Sequence, residues 1–403
     1  MKRFIPEIKY WSQILLIPIY FISFLMPRNK KVWLFGSTFG YRFADNPKYL
    51  YIYLHQHMRD KVRTIWISRD KSIVKLLRDR GYQSYYLKSL KGIWFCLRAK
   101  VYIYDNYSKD ICFSLSGGAI KVNLWHGIPL KKIANDNIFD RVRNPRNERE
   151  WIRWALRRMS DEKPSHYVLT TSEFLKPIFS SAFNTKKVLI ANYPRNDFLL
   201  GKNIENIMTS SEEKTVEDLK AVLKFSEMKM ILYMPTFRES ENKFFEVMNL
   251  NNFNKFLIDN NYLFCIKLHH KSKLSKAFNR IQSNNIYVIP PTADPYIFAK
   301  RADVLVTDYS SIYFDYLLLN RPIIFFNYDM VEYLYNSREL YFDYEEFTPG
   351  DKVKNMNELE EALNKSFNNT SEYIYERQKI KDLVFDNVDN GGCSEIYKII
   401  KDL

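Results

Sequence analysis

The chain has 403 residues, nearly half of them apolar, and carries a net charge of +15 at pH 7 with a pI near 9.3. That length and apolar content suit two domains with sizeable cores and exclude a disordered chain. The charge calls for an anionic partner, which nucleic acid, anionic lipid or a nucleotide phosphate would each satisfy. The four cysteines, Cys96, Cys112, Cys265 and Cys393, and the six histidines show neither CxxC nor HExxH spacing. Reduced thiols are therefore expected, with no disulfide framework and no metal site.

The first predicted element is an apolar run from Ile14 to Met26, with Lys2, Arg3 and Lys9 before it and Arg28, Lys30 and Lys31 after it. Such a helix would reach about 20 Å, short of the roughly 30 Å of a bilayer core. With no small-residue cleavage site it reads as a membrane-contacting helix, residues 1–30, held by basic flanks at the cytoplasmic face.

Short apolar and β-branched runs then alternate with helical stretches. They are Lys31–Phe35, Val62–Ser68, Lys100–Tyr104, Ile120–Trp125, Tyr167–Ser172 and Lys187–Ala191, then Met228–Pro235, Tyr262–Leu268, Ile286–Pro290, Asp303–Thr307 and Pro322–Phe326. This is the pattern of βα units with parallel sheets, repeated to give two Rossmann-like domains, residues 31–201 and 202–403. The polar, acidic stretch from Lys202 to Leu223 is the expected crossing. Between strands of the first domain, the stretch from Arg141 to Arg158 interleaves seven arginines with Trp151 and Trp154. It suits an anionic membrane surface, or a solvated helix paired through Glu148 and Glu150.

Parallel sheets bind ligands at the carboxyl ends of their strands, and four polar clusters close strands here, with "NYPRND" a further cationic candidate. In "LWHGIP", His126 is placed as a general base, with Gly127 allowing close backbone approach. "MPTFR" supplies Thr236 and the cation Arg238, and "NYPRND" offers Arg195. In "FCIKLHH", Lys267 and His269 stand two apart, so both side chains would face one phosphate while His270 points away. In "TDYSS", Thr307, Asp308, Ser310 and Ser311 precede an apolar helical run, whose start would bind a diphosphate. Neither GxGxxG nor GxxxxGK[ST] occurs, so NAD and ATP-hydrolysis readings lose support.

Eight phrases in order, "DNPKYLYIYL", "WHGIPLKKI", "TTSEF", "NYPRND", "YMPTFR", "KLHH", "TDYSSIYFDYLLLNRPIIFF" and "FTPGD", resemble the CDP-glycerol glycerophosphotransferase family of Gram-positive wall and capsule synthesis. They span roughly residues 45 to 350. Two departures stand out: His269-His270 where the family reads His-Pro, and Asn192 where it commonly has Gly. The resemblance implies a GT-B-like α/β fold, two Rossmann-like domains facing across a cleft that holds the active site. It implies transfer of glycerol phosphate or ribitol phosphate from a CDP-polyol to a hydroxyl of a lipid-linked acceptor, releasing CMP, with no cofactor. His126 and His269 map to the family's two essential histidines, and Ser310 and Ser311 to its diphosphate-binding serines. Glycerol versus ribitol and the oligomeric state, a homo-oligomer included, stay open. The nearest alternative is a GT-B glycosyltransferase using a nucleotide sugar. A basic nucleic-acid-binding protein is the more distant one, since no RNA or DNA module pattern appears.

Overall fold

The computed structural model describes residues 14–140, 142–160, 162–201, 207–269, 271–281, 283–336, 339–388 and 391–403. Lys2, Arg3, Lys9, Arg141, Lys202 and His270, named above, lie outside them. The chain forms two compact units. The first takes the described residues up to His126, those of Ile133–Asn206, and Phe385–Leu403; the second takes Gly127–Lys132 and those of Ile207–Val384.

The first unit carries β1 (Asn29–Phe35), β2 (Arg63–Ser68), β3 (Ser84–Tyr86), β4 (Ala99–Tyr104), β5 (Ile120–Asn123), β6 (Tyr167–Thr170) and β7 (Val188–Ile190). All pair in parallel in the order β3-β2-β1-β4-β5-β6-β7. The second carries β8 (Lys229–Tyr233), β9 (Tyr262–Lys267), β10 (Ile286–Ile289), β11 (Val304–Thr307), β12 (Ile323–Phe326) and β13 (Asp351–Val353), again all parallel, in the order β10-β9-β8-β11-β12-β13. Helices sit between strands along the chain. Strands covered on both faces need near-continuous apolar runs, and β9, β11 and β12 are buried along their whole length. β3 and β13 escape the sequence pattern because their three residues, "SYY" and "DKV", make no aliphatic run, unlike the equally short edge β7, "VLI".

The units depart from the single boundary expected between residues 201 and 202. The helix Gly392–Lys401 belongs with the first unit, where the Asp197 carboxylate accepts the N–H groups of Gly392 and Cys393, both at 2.8 Å. An anion at a helix start is favourable, and a Cβ at 392 would fall 2.2 Å from the Asn192 carbonyl oxygen. The acidic stretch read as a crossing is mostly the helix Ser210–Ser226. It opens on a capping box in which Thr209 and Glu212 bond each other's backbone N–H.

One histidine of the first unit acts as a pH-sensitive packing group. His166 accepts the Lys121 backbone N–H at Nδ1 (3.0 Å); burial, then the charges of Lys121, Lys187, Lys163 and Lys100, push its pKa down to about 4. Between its ordinary value of 6.5 and that value, the unfolded chain holds a proton that the folded chain does not. Stability present above pH 6.5 should thus fall as the pH drops toward 4. His166→Gln should flatten that limb of the curve. Urea midpoints at pH 7 and about 4.5 for both proteins check this, and identical pH slopes would refute it.

Candidate active site

In both sheets the strand order reverses at one place, between β1 and β4 and between β8 and β11. Ligands of open parallel sheets bind beyond the carboxyl ends of the strands at such a point.

Beyond β4 lies Asp105, and its backbone carbonyl is 3.1 Å from Nδ1 of His126. A carbonyl only accepts, so Nδ1 carries the proton and Nε2 keeps its lone pair. His126 is exposed, and Nε2 makes no hydrogen bond among the described residues. The strand end that presents it is braced from three sides. Asn123 of β5 accepts the Trp125 N–H at 2.8 Å, Asn46 donates to the Trp125 carbonyl at 2.9 Å, and Phe183 packs edge-on against the Trp125 ring. Trp125 stacks on His126 with ring centres 3.9 Å apart. Trp125 is held at φ +54°, a conformation a bulky residue rarely adopts, and these bonds hold it there. Gly127 follows at φ +152°.

Two buried carboxyls fix the Asp105 loop. Asp105 accepts from the Ser37 hydroxyl (2.6 Å) and the Thr38 N–H (3.2 Å) beyond β1. Asp110 accepts the N–H groups of Phe39 (2.7 Å), Asn106 (2.9 Å) and Tyr107 (3.3 Å). Burial, then the Asp45 charge, raises the pKa of Asp105; burial, then Asp105, raises that of Asp110 well above the carboxylate range. The loop that aims the carbonyl at His126 is thus cross-linked to the end of β1.

In the second unit, Asp308 follows β11 and accepts the Thr236 N–H with both oxygens, at 2.9 and 3.0 Å, tying the loop after β8 to the loop after β11. Arg238 donates to Asp308 at 2.6 Å and to Asp329 at 2.8 Å, with a second, shorter bond to Asp329. Burial works against the Arg238 charge, and the two carboxylates outweigh it, so its pKa is raised. Arg238, offered by the sequence as a cation at a strand end, has its charge matched by two carboxylates within the fold. Thr307 is buried and donates to the Met234 carbonyl at 2.8 Å. Thr236 accepts at its hydroxyl from Lys131 at 3.4 Å.

Ser310 and Ser311 are half-buried beside this clamp, ahead of the helix Ile312–Tyr316. Neither side chain caps that helix, and neither hydroxyl makes a hydrogen bond among the described residues. His269 is exposed just past β9, its ring 4.9 Å from that of Phe237, and Nδ1 accepts the Lys271 N–H at 3.4 Å. β9 ends at Lys267, so the two-residue alternation stops there, and the buried ammonium donates to the Pro291 carbonyl at 2.8 Å.

Arg195 departs furthest from expectation. It is 1% exposed, donates to Asp45 at 2.7 Å, and stacks over Tyr193. With Asp197 holding the C-terminal helix, "NYPRND" ties three parts of the first unit together and offers no surface cation.

The sequence profile described as CDP-Glycerol:Poly(glycerophosphate) glycerophosphotransferase matches residues 18–402. The chain belongs to this glycerophosphotransferase family. It is 31% identical over 382 residues to a teichoic acid poly(glycerol phosphate) polymerase of Bacillus spizizenii, covering 89% of this chain and 90% of that one. It is 28% identical over 395 residues to a teichoic acid glycerol-phosphate transferase of Staphylococcus aureus, covering 92% and 94%. Its fold is that of the wall teichoic acid polymerase TagF, at a TM-score of 0.72 and 24% identity over 100% of this chain and 98% of that one.

Within this glycerophosphotransferase, the structure groups Thr236, Arg238, Thr307, Asp308, Ser310 and Ser311 around one switch point, and places His126 at the other. Sequence reading passed over Asn46, Asp105, Asp110 and Asn123, and took Asp329 only as the start of a loop, through Arg338, that could cover a nucleotide. Asp105 was within reach of it, since it follows an apolar strand directly, as the chosen clusters do. Asn46 bonds Trp125 and Asp110 bonds Phe39, partners 79 and 71 residues away that spacing does not reveal.

Proposed function

We propose that the chain transfers glycerol phosphate or ribitol phosphate from a CDP-polyol to a hydroxyl of a lipid-linked acceptor, releasing CMP, in teichoic acid or capsule polymer synthesis at the cytoplasmic face of the membrane. Family membership over nearly the whole chain supports the chemistry. The observation that carries the mechanism is the Asp105 carbonyl 3.1 Å from Nδ1 of His126, from which the proton on Nδ1 and the lone pair on Nε2 are inferred.

In this reading Nε2 takes the proton as the acceptor oxygen attacks the β-phosphorus. The P–O bond to CMP breaks, and CMP leaves with the electron pair. The hydroxyls of Ser310 and Ser311 and the ring of His269 bind the diphosphate, while Arg238, Asp308 and Thr236 position the loops that present them. Phosphoryl transfer draws chiefly on positioning and charge stabilisation, and that is what rigid strand-end loops supply. The GT-B-like arrangement, one unit for the acceptor and one for the donor, belongs to the same proposal.

The test is product analysis by mass after incubation with each CDP-polyol and a lipid-linked acceptor. CMP release with an acceptor one polyol phosphate heavier is expected. Turnover of a nucleotide sugar in place of both CDP-polyols would sink the reading. Ser310→Ala with Ser311→Ala should weaken donor binding more than it slows chemistry, since each charge-assisted hydrogen bond is worth about 1.5–3 kcal/mol. An unchanged KM for the CDP-polyol would show that these hydroxyls do not hold the diphosphate.

A further inference from the structure

The arginine-rich stretch builds one wall of a cavity that lies wholly within the first unit. The helix Glu148–Met159 contributes Trp154, Arg157 and Arg158, and Tyr107, Arg143 and Phe183 stand around them. The cavity adjoins the His126 strand end through shared residues. Asn123, which accepts the Trp125 N–H, and Phe183, which packs on the Trp125 ring, both line it. One indole ring, that of Trp125, therefore touches both His126 and the cavity wall. Tyr107 comes two residues after Asp105, whose carbonyl bonds His126.

The cations here are tied down unequally. Glu162 is shared by Lys109 (3.3 Å), Arg157 (3.2 Å) and Arg143 (4.0 Å). Arg143 also donates to the Asp140 carboxylate and to the Tyr107 hydroxyl. Arg158 differs from all of these. It is half-buried, its guanidinium rests over the Trp154 ring at 5.0 Å, and it makes no hydrogen bond or ion pair among the described residues. Contact with a ring face orients a guanidinium without using any of its N–H donors. A partly desolvated charge held in this way favours an anion, and the planar fork matches two oxygens of a phosphate.

We propose that this cavity is an acceptor subsite, in which Arg158 holds a phosphate group of the acceptor beside the hydroxyl that reacts at His126. Arg143 and Arg157 add positive potential, and the faces of Trp154 and Tyr107 take the neighbouring carbons. The proposal deepens the polyol-phosphate transfer reading and rests on it for the identity of the acceptor. A phosphodiester within the acceptor and a diphosphate share this chemistry, and the test separates them.

Calorimetric titration of the full chain, without donor, uses two probes: a water-soluble glycerol phosphate trimer joined by phosphodiesters, and inorganic pyrophosphate. Wild type should bind at least one of them, and Arg158→Gln should bind it about tenfold or more weakly, the loss expected for one charge-assisted hydrogen bond. Arg158→Lys should recover part of that loss, since it keeps the charge without the fork. Preference for the trimer assigns the subsite to a phosphodiester, and preference for pyrophosphate to a diphosphate. No binding of either probe to wild type, or equal affinity in wild type and Arg158→Gln, overturns the subsite. With a CDP-polyol as donor and the trimer as acceptor, Arg158→Gln should raise the acceptor KM about tenfold while the donor KM holds. A rise in donor KM as large as that in acceptor KM would also overturn it. Absence of turnover in wild type with either CDP-polyol would sink the transfer reading and leave the titration result standing.

Discussion

Replacing His126 by alanine should lower kcat for polyol-phosphate transfer by roughly 10²–10⁴-fold, the usual loss for a general base, with the donor dissociation constant nearly unchanged. The expectation comes from the tautomer. The Asp105 carbonyl holds the proton on Nδ1, so Nε2 is available to accept another. His269→Ala should reduce both turnover and donor affinity, because His269 lies in the second unit, past β9 and beside Phe237 of the loop that Asp308 anchors. Measuring kcat and donor Kd for the two variants separates these roles. An active His126→Ala enzyme, or a parallel loss of donor affinity in it, would refute the assignment even with the family membership secure.

Arg238→Met should be the most destabilising single change in the second unit. It strands the carboxylates of Asp308 and Asp329, whose side chains are 1% and 9% exposed. Breaking a buried pair in this way costs about 3–5 kcal/mol, and in a unit of this size each kcal/mol moves Tm by about 2–4 °C. A fall on the order of 10 °C in the melting of the second unit is expected. Adding Asp308→Asn and Asp329→Asn should restore much of it, because the stranded charges are then gone. Calorimetry on the single and triple variants checks this. A single variant that melts within a degree or two of wild type (about the scan error) would mean that the clamp does not hold the β8 and β11 loops.

The strands were legible in the sequence wherever they are buried on both faces. A run such as "YLFCIK" or "IIFF" must be apolar throughout to lie between two helical layers, and that requirement is local. The short edges β3 and β13 carry no such requirement and, with no aliphatic run, were missed, whereas the edge β7 was found through its "VLI". The strand-end rule also found His126 and the "TDYSS" and "PTFR" clusters, since it needs only the order of strand and polar residue.

What each polar residue does was decided by tertiary structure. Arg195 and Arg238 read alike in sequence as cations beyond strand ends. One turned out to pair with Asp45, 150 residues away, and the other with Asp308 and Asp329, 70 and 91 residues away. Asp197, inside a phrase that reads as a binding motif, caps a helix 195 residues further on. The His126 tautomer depends on a carbonyl 21 residues earlier. Apolar burial leaves a periodic trace in the chain because it repeats with the secondary structure. A charge or a hydrogen-bonding group is committed by its partner, and parallel strands joined by long crossovers bring those partners from distant stretches of the sequence.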